Sequence, residues 1–210
     1  MALIWMPEMI PMVGPGNKLD REDQFMSGSK PQVAGGLMIG IFVIMLLIPG
    51  HFRNPGQLKA VFLDVGQGDS VFIKTPRGYT ILVDGGGSDF TDVGQKVVLP
   101  YLRRQGIRRL DMAIATHPHV DHLQGLKSVL AECPADVVVA GRGCFSDADQ
   151  AGGQLLVLEG ARTLSPDSSS RMWLWAPTGD EIDEIGNDTS VIARVAVGEV
   201  SLLLTGDAAL

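Results

Sequence analysis

Six consecutive positions of this chain, His117-Pro-His119-Val-Asp121-His122, hold three imidazoles and one carboxylate. The chain has only four histidines, so three of them fall here and His51 alone lies apart, in what reads as an ordinary linker. Imidazole nitrogen and carboxylate oxygen are the ligand atoms taken by zinc and neighbouring first-row ions. A polar loop without metal is the bland alternative, and it bears the cost of crowding imidazoles together with nothing to hold them. Three more pieces join carboxylates to small residues at the end of an apolar run: Asp64-Val-Gly-Gln67-Gly-Asp69, Asp84-Gly-Gly-Gly87 and Thr205-Gly-Asp207. Singly, Asp84 or Asp207 reads as a turn residue. Gathered on one rim with His117, His119, Asp121 and His122, they would supply enough donors for two cations a few Å apart, with a carboxylate between them. Such a pair can generate a nucleophile from water at neutral pH and clamp a phosphoryl or carbonyl oxygen.

The elements that must position these groups are legible from the apolar pattern. Leu110 to Ala115 reads as a buried strand and His122 to Glu132 as a helix, so the histidines project from a loop at the carboxyl end of a strand, where open sheets place their sites. Lys59 to Val65, Ser70 to Thr75 and Tyr79 to Asp84 read as an antiparallel meander. Gly85 to Gly87 then lets the backbone pass close to a neighbour or adopt positive φ. Val93 to Gln105 predicts a helix broken or kinked near Pro100. Asp136 to Ala140 and Arg171 to Ala176 are strands, with a loop-rich region from Gly141 to Ser170 between them. Asp180 to Asp188 is an acidic loop. Ser190 to Val197 and Val200 to Thr205 form a hairpin through Gly198-Glu199. Alternating strands and helices predict a mixed α/β class.

Composition narrows the rest. The 210 residues suffice for one sizeable domain plus an appendage. A net charge of −7 does not favour long-range capture of nucleic acid, although a local basic cluster can still meet phosphate. Arg103, Arg104, Arg108 and Arg109 form such a cluster, and placement near a helix C-terminus explains it equally well. Two cysteines, Cys133 and Cys144, lie in no CxxC arrangement, which excludes a zinc ribbon and leaves a disulfide or two free thiols open. Residues 1–32, with Pro7, Pro11 and Pro15, read as a disordered arm. Residues 33–49 read as a transmembrane helix: Val33 to Ile48 carries no charge and no polar side chain. At about 1.5 Å per residue that run spans roughly 24 Å, short against about 30 Å of hydrocarbon. A buried core helix is the alternative. Gly36 and Gly40 have the spacing of helix packing in lipid. Residues 50–57 are a linker and 58–210 the main domain. Lys18, Arg21 and Lys30 before the span, against Arg53 and Lys59 after it, place the N-terminus inside and the main domain outside.

The H-x-H-x-D-H motif, preceded by the Asp84 strand and followed by T-G-D, resembles the metallo-β-lactamase-fold superfamily. More closely, FLDVGQGDSVFI, ILVDGGG, VLPYLRRQGIRRLDMAIATHPHVDHLQGL and NDTSVIARVAVGEVSLLLTGD resemble the C-terminal metallo-β-lactamase-like domain of ComEC-type competence proteins. Those are bacterial inner-membrane channels that bring single-stranded DNA into the cell. The resemblance covers Leu58 to Asp207. It implies an αββα sandwich, C-terminally incomplete here, with an N-terminal apolar helix. It implies two divalent ions, zinc or else manganese: His117 and His119 on the first, Asp121 and His122 on the second, Asp207 bridging, and Asp121 helping to orient the nucleophile. Asp84 would orient a ligand from behind, and Asp64, Gln67 and Asp69 would lie near the site. The implied partners are DNA, single-stranded or as the non-transported strand, the membrane, and other competence or channel components. The implied activity is nuclease action on the outer side of the inner membrane. Two departures qualify this. No histidine follows His122, and Asn187-Asp188 stands where one more ligand is expected. The last ligand strand would lie beyond Leu210, which makes the chain a fragment of a longer or split gene by this reading. A non-catalytic module of the uptake machinery, and a hydrolase for small esters, thioesters or lactams, are the competing functions.

Overall fold

The apolar, β-branched runs that alternate with glycine-rich turns become strands, and the turns set their order. The computed structural model describes residues 56–146, 151–179 and 187–208, without the side chain of Asp188. Lys59–Phe62 (β1), Val71–Lys74 (β2) and Thr80–Val83 (β3) form the expected antiparallel meander. Leu110–Ala115 (β4), Ala135–Ala140 (β5) and Gln154–Val157 (β6) extend it with parallel pairings, in the order β1-β2-β3-β4-β5-β6. Because β1 and β3 both run against β2, the strands β1, β3, β4 and β5 all point the same way. Their carboxyl ends share one edge of the sheet, and that edge is where the acidic and histidine-bearing loops begin.

Gly160–Leu164 (β7), Ser170–Ala176 (β8), Ile192–Val197 (β9) and Val200–Leu204 (β10) form a second, antiparallel sheet in the order β10-β9-β8-β7. Along β8 the side chains alternate: Met172, Leu174 and Ala176 are buried, while Trp173 and Trp175 are exposed. The inward set meets Ile73, Ile81, Met112 and Ile114 of the first sheet in one apolar core. The opposite face of the first sheet, through Phe72, Leu82 and Val138, packs against the helices in another. The layers are therefore helix, sheet, sheet, and among the described residues both helices lie on the first sheet.

The first helical stretch is a π-turn, Gly94–Val98, that runs into Leu99–Arg104 (α1). The expected break at Pro100 takes this form. The Leu99 amide bonds five residues back to the Gly94 carbonyl, and Pro100, which has no N–H to give, follows where the register returns to α. Val120–Glu132 (α2) starts two residues before the predicted helix, so Asp121 and His122 stand in its first turn rather than on a loop. This helix presses on the glycine run after β3. A Cβ on Gly125 would sit 2.1 Å from the Gly85 carbonyl oxygen, and one on Gly85 would sit 2.0 Å from the Leu126 amide. The close passage expected of Gly85 to Gly87 is made here.

The expected loop between Gly141 and Ser170 holds β6 and β7. Both lie at sheet edges, and most of their residues are exposed, so neither carries the buried alternation that marks a strand. Cys133 and Cys144 are free and buried. The predicted arm and the predicted membrane span lie outside the described residues, as do residues 50–55 of the predicted linker and 180–186 of the predicted acidic loop, whose last two residues open a 3-10 turn, Asn187–Thr189. No helix among the described residues is long and apolar enough to cross a membrane.

Candidate metal centre

β4 ends in Ala115, and the next two residues, Thr116 and His117, are fully buried at the strand's carboxyl edge. His119 caps α2 with extended backbone and is exposed. One turn further on, His122 is buried and returns toward His117, with ring centroids 4.3 Å apart. The ring of His119 stands edge-on to His117 at 4.8 Å. β10 of the second sheet delivers Asp207 to the same place. Its carboxylate lies 3.4 Å from His122 Nε2 and 3.9 Å from His117 Nε2. Ligand atoms of His117, His122 and Asp207 all fall within 4.8 Å of one another. His117 Nε2 is buried with no hydrogen-bond partner. A buried nitrogen left unpaired is costly unless something meets it. One carboxylate oxygen and two imidazole nitrogens facing a common point form a donor set that fits a divalent cation.

Asp84 supports this cluster from behind. It is buried and has φ 55, the left-handed region. The Thr116 amide donates to its Oδ1 at 2.9 Å and the Thr116 hydroxyl to its Oδ2 at 2.7 Å. His122 Nδ1 lies 3.0 Å from the same Oδ2. Thr116 Oγ1 in turn lies 3.0 Å from His117 Nδ1. Burial pushes the Asp84 carboxyl above its ordinary range, and the hydrogen bonds from His122 and Thr116 pull it back only in part. For His122 burial acts downward, but the hydrogen bond and charge of Asp84, with Asp207 and Asp121 behind them, carry the imidazole above its usual value. His117 goes the other way. Burial, then the neighbouring His122, bring it down to about 4. Near neutral pH it is therefore an uncharged imidazole, the form that offers a lone pair.

The remaining predicted site residues are spread around this group. Asp121 is half-buried in the first turn of α2, and its backbone carbonyl meets Gly68. A Cβ on Gly68 would lie 1.7 Å from that oxygen, and Gly68 has φ 74, so the turn between Asp64 and Asp69 requires glycine twice over. Asp69 is exposed, and its carbonyl accepts the Gly86 amide at 2.8 Å, which ties the turn to the loop after Asp84. Asp64 is exposed and accepts the Gly66 amide at 3.4 Å, and Gln67 is exposed. Asn187 begins a 3-10 turn, exposed, with its carbonyl accepting the Ser190 amide. The arginine cluster lies at the amino end of β4, the opposite edge from the histidines. There Arg103 pairs with Glu132 and Arg109 with Asp136. Sequence reasoning passed over Thr116, which reads only as the residue after an apolar strand.

A family model described as the metallo-beta-lactamase superfamily matches residues 63–210. ComE operon protein 3 of Bacillus subtilis (strain 168) is 27% identical over 132 residues, covering 57% of this chain and 17% of its own length. Competence protein ComA of Neisseria gonorrhoeae is 30% identical over 153 residues, covering 69% of this chain and 19% of its own. The chain thus spans less than a fifth of the length of these relatives. Among solved structures, metallo-beta-lactamase SMB-1 bound to 2-mercaptoethanesulfonate superposes with a TM-score of 0.46 at 20% identity, covering 68% of this chain and 57% of that one.

Proposed function

This chain belongs to the metallo-beta-lactamase superfamily, with homology to competence proteins, and from that premise we propose that it is a metal-dependent nuclease domain of a ComEC-type DNA-uptake system. The observation that carries the proposal is the meeting of one ligand atom each from His117, His122 and Asp207 within 4.8 Å. In this reading His117 and His119 would hold one cation, Asp121 and His122 would hold a second, and Asp207 would serve both. Zinc suits the imidazole-rich set, and manganese, which carboxylates suit, is the alternative. Bound there, the ions would supply a nucleophile from water at neutral pH and a clamp for a phosphoryl oxygen. The chain's own residues do the rest. His117 offers an uncharged, buried imidazole. Asp84 holds His122 in place. Asp207, still partly exposed, would face an incoming phosphodiester. Asp121 orients the attacking water from the first turn of α2.

Residues 33–49 would tether the domain to the bacterial inner membrane, with the domain on its outer side. Its partners would be DNA, single-stranded or as the non-transported strand, together with the other components of the channel. A second reading is a non-catalytic module, which is favoured by the exposure of His119 and its place outside the three-donor group.

One experiment separates these. The full chain is purified, its metal content measured, and labelled single-stranded DNA, duplex DNA and a chromogenic ester are offered in turn. The nuclease reading expects bound metal and cleavage of DNA, both lost in His117→Ala. Bound metal without turnover selects the non-catalytic module, and preferential ester cleavage selects a small-ester hydrolase. Metal at background, with His117→Ala unchanged from the parent, refutes the metal centre itself.

A further inference from the structure

Thr116 touches more of the site than any prediction assigned to it. Its amide and hydroxyl both donate to Asp84, at 2.9 and 2.7 Å. Its carbonyl accepts the Val191 amide at the start of the second hairpin, 2.9 Å away. Its side chain lies against Gly206, where an added Cβ would come within 3.0 Å of Oγ1. It is buried and β-branched, so its χ1 is held by packing as well as by bonding.

A hydroxyl has one hydrogen to give and two lone pairs. Thr116 Oγ1 stands 2.7 Å from a carboxylate oxygen and 3.0 Å from His117 Nδ1. The hydrogen goes to the carboxylate, which is the shorter contact and the charge-assisted one. What faces His117 is then a lone pair, and Nδ1 satisfies it only as N–H. Neutral imidazole carries one proton, so Nε2 is left bare, and Nε2 is the atom that lies buried without a partner toward Asp207. At His122 the same carboxylate oxygen meets Nδ1 directly, at 3.0 Å.

We propose that Thr116 is a positioning residue that carries the hold of Asp84 across to His117. Asp84 sets the tautomer of His122 directly and that of His117 through the Thr116 hydroxyl, and so turns both Nε2 atoms inward. The proposal rests on the metal-centre reading for its purpose, but its proton arrangement belongs to the metal-free chain.

The test therefore begins without metal. In the full chain labelled with ¹⁵N-histidine and stripped by chelator, long-range ¹H–¹⁵N correlation reads the His117 tautomer directly at mildly alkaline pH. The expected result is protonation at Nδ1 in the parent and in Thr116→Ser, which keeps the hydroxyl. In Thr116→Val, which keeps the shape and loses the hydroxyl, the two tautomers should mix. Zinc titration should then show affinity lowered roughly 10–100-fold in the valine variant and close to the parent value in the serine one. A parent His117 protonated at Nε2 overturns the proposal, as does a folded valine variant whose tautomer and affinity match the parent. Should the valine variant fail to fold, the parent and serine spectra still decide. Failure of every form to bind zinc, with the parent tautomer as expected, overturns the metal-centre reading and leaves the relay standing.

Discussion

At the scale of single residues, the most constrained group is Asp84. A non-glycine residue in the left-handed region, here at φ 55, costs of order 1–3 kcal/mol, and a buried carboxylate costs more unless donors surround it. Three donors do: the Thr116 amide, the Thr116 hydroxyl and His122 Nδ1. Asn tolerates the same backbone conformation, so Asp84→Asn isolates the carboxylate from the strain. Its amide must then turn an N–H toward groups that themselves donate. We expect a loss of about 1–3 kcal/mol in urea unfolding without metal, and zinc affinity weaker by roughly 10–100-fold in a competition titration. If neither moves, Asp84 is only a turn residue. The histidine cluster was legible because its residue types are rare in this chain and closely spaced. Thr116 was not, because nothing in a sequence distinguishes a threonine that fills a strand end from one whose hydroxyl joins two functional side chains.

Among the elements, the two sheets must be held in register for loops from both to meet. One clasp outside the centre is Asp167, in the turn between β7 and β8. It accepts the Thr75 hydroxyl at the end of β2, together with the hydroxyl and amide of Ser169 at 2.7 and 2.8 Å. Its slight burial acts upward, but the bonds from Thr75 and Ser169 outweigh it and bring the carboxyl down to about 2. The folded value lies below the unfolded one, so the stabilisation is fully present above about pH 4 and fades as pH falls toward the folded value. Asp167→Asn should therefore unfold at lower urea than the parent at pH 5, and the gap should narrow at pH 3. A gap that stays constant with pH would remove ionisation of Asp167 from the account. The strands at the centre of the fold, β3, β4 and β5, were legible because they are largely apolar runs, and β3 and β5 are followed directly by an aspartate and a glycine. The edges were not: β6 is Gln154–Val157, exposed throughout and read as loop. Edge strands are set by their neighbour's hydrogen bonds more than by their own pattern.

For the molecule as a whole, the candidate centre is a junction. His117 and His122 reach it from the first sheet and its helix, and Asp207 reaches it from the last strand of the second sheet. Apolar contact between the sheets is broad but non-directional. At this edge Asp207 faces the two histidines at 3.4 and 3.9 Å. Metal bound here, with Asp207 as a ligand beside the histidines, would convert that proximity into a cross-link between sheets. Because it would bind the folded chain and find no such geometry in the unfolded one, its binding energy would appear as stability. At a free zinc concentration one hundred times the Kd, the gain is about 2.7 kcal/mol. The gain should also be local. Hydrogen exchange through local openings should slow in the β9–β10 hairpin and at the start of α2, and stay unchanged in α1, which packs on the far face of the first sheet. His117→Ala should abolish both the rise in Tm and the local protection. A rise in Tm that survives this substitution, or protection spread evenly over α1 and the hairpin, would mean that zinc binds elsewhere and that the junction is held by packing alone.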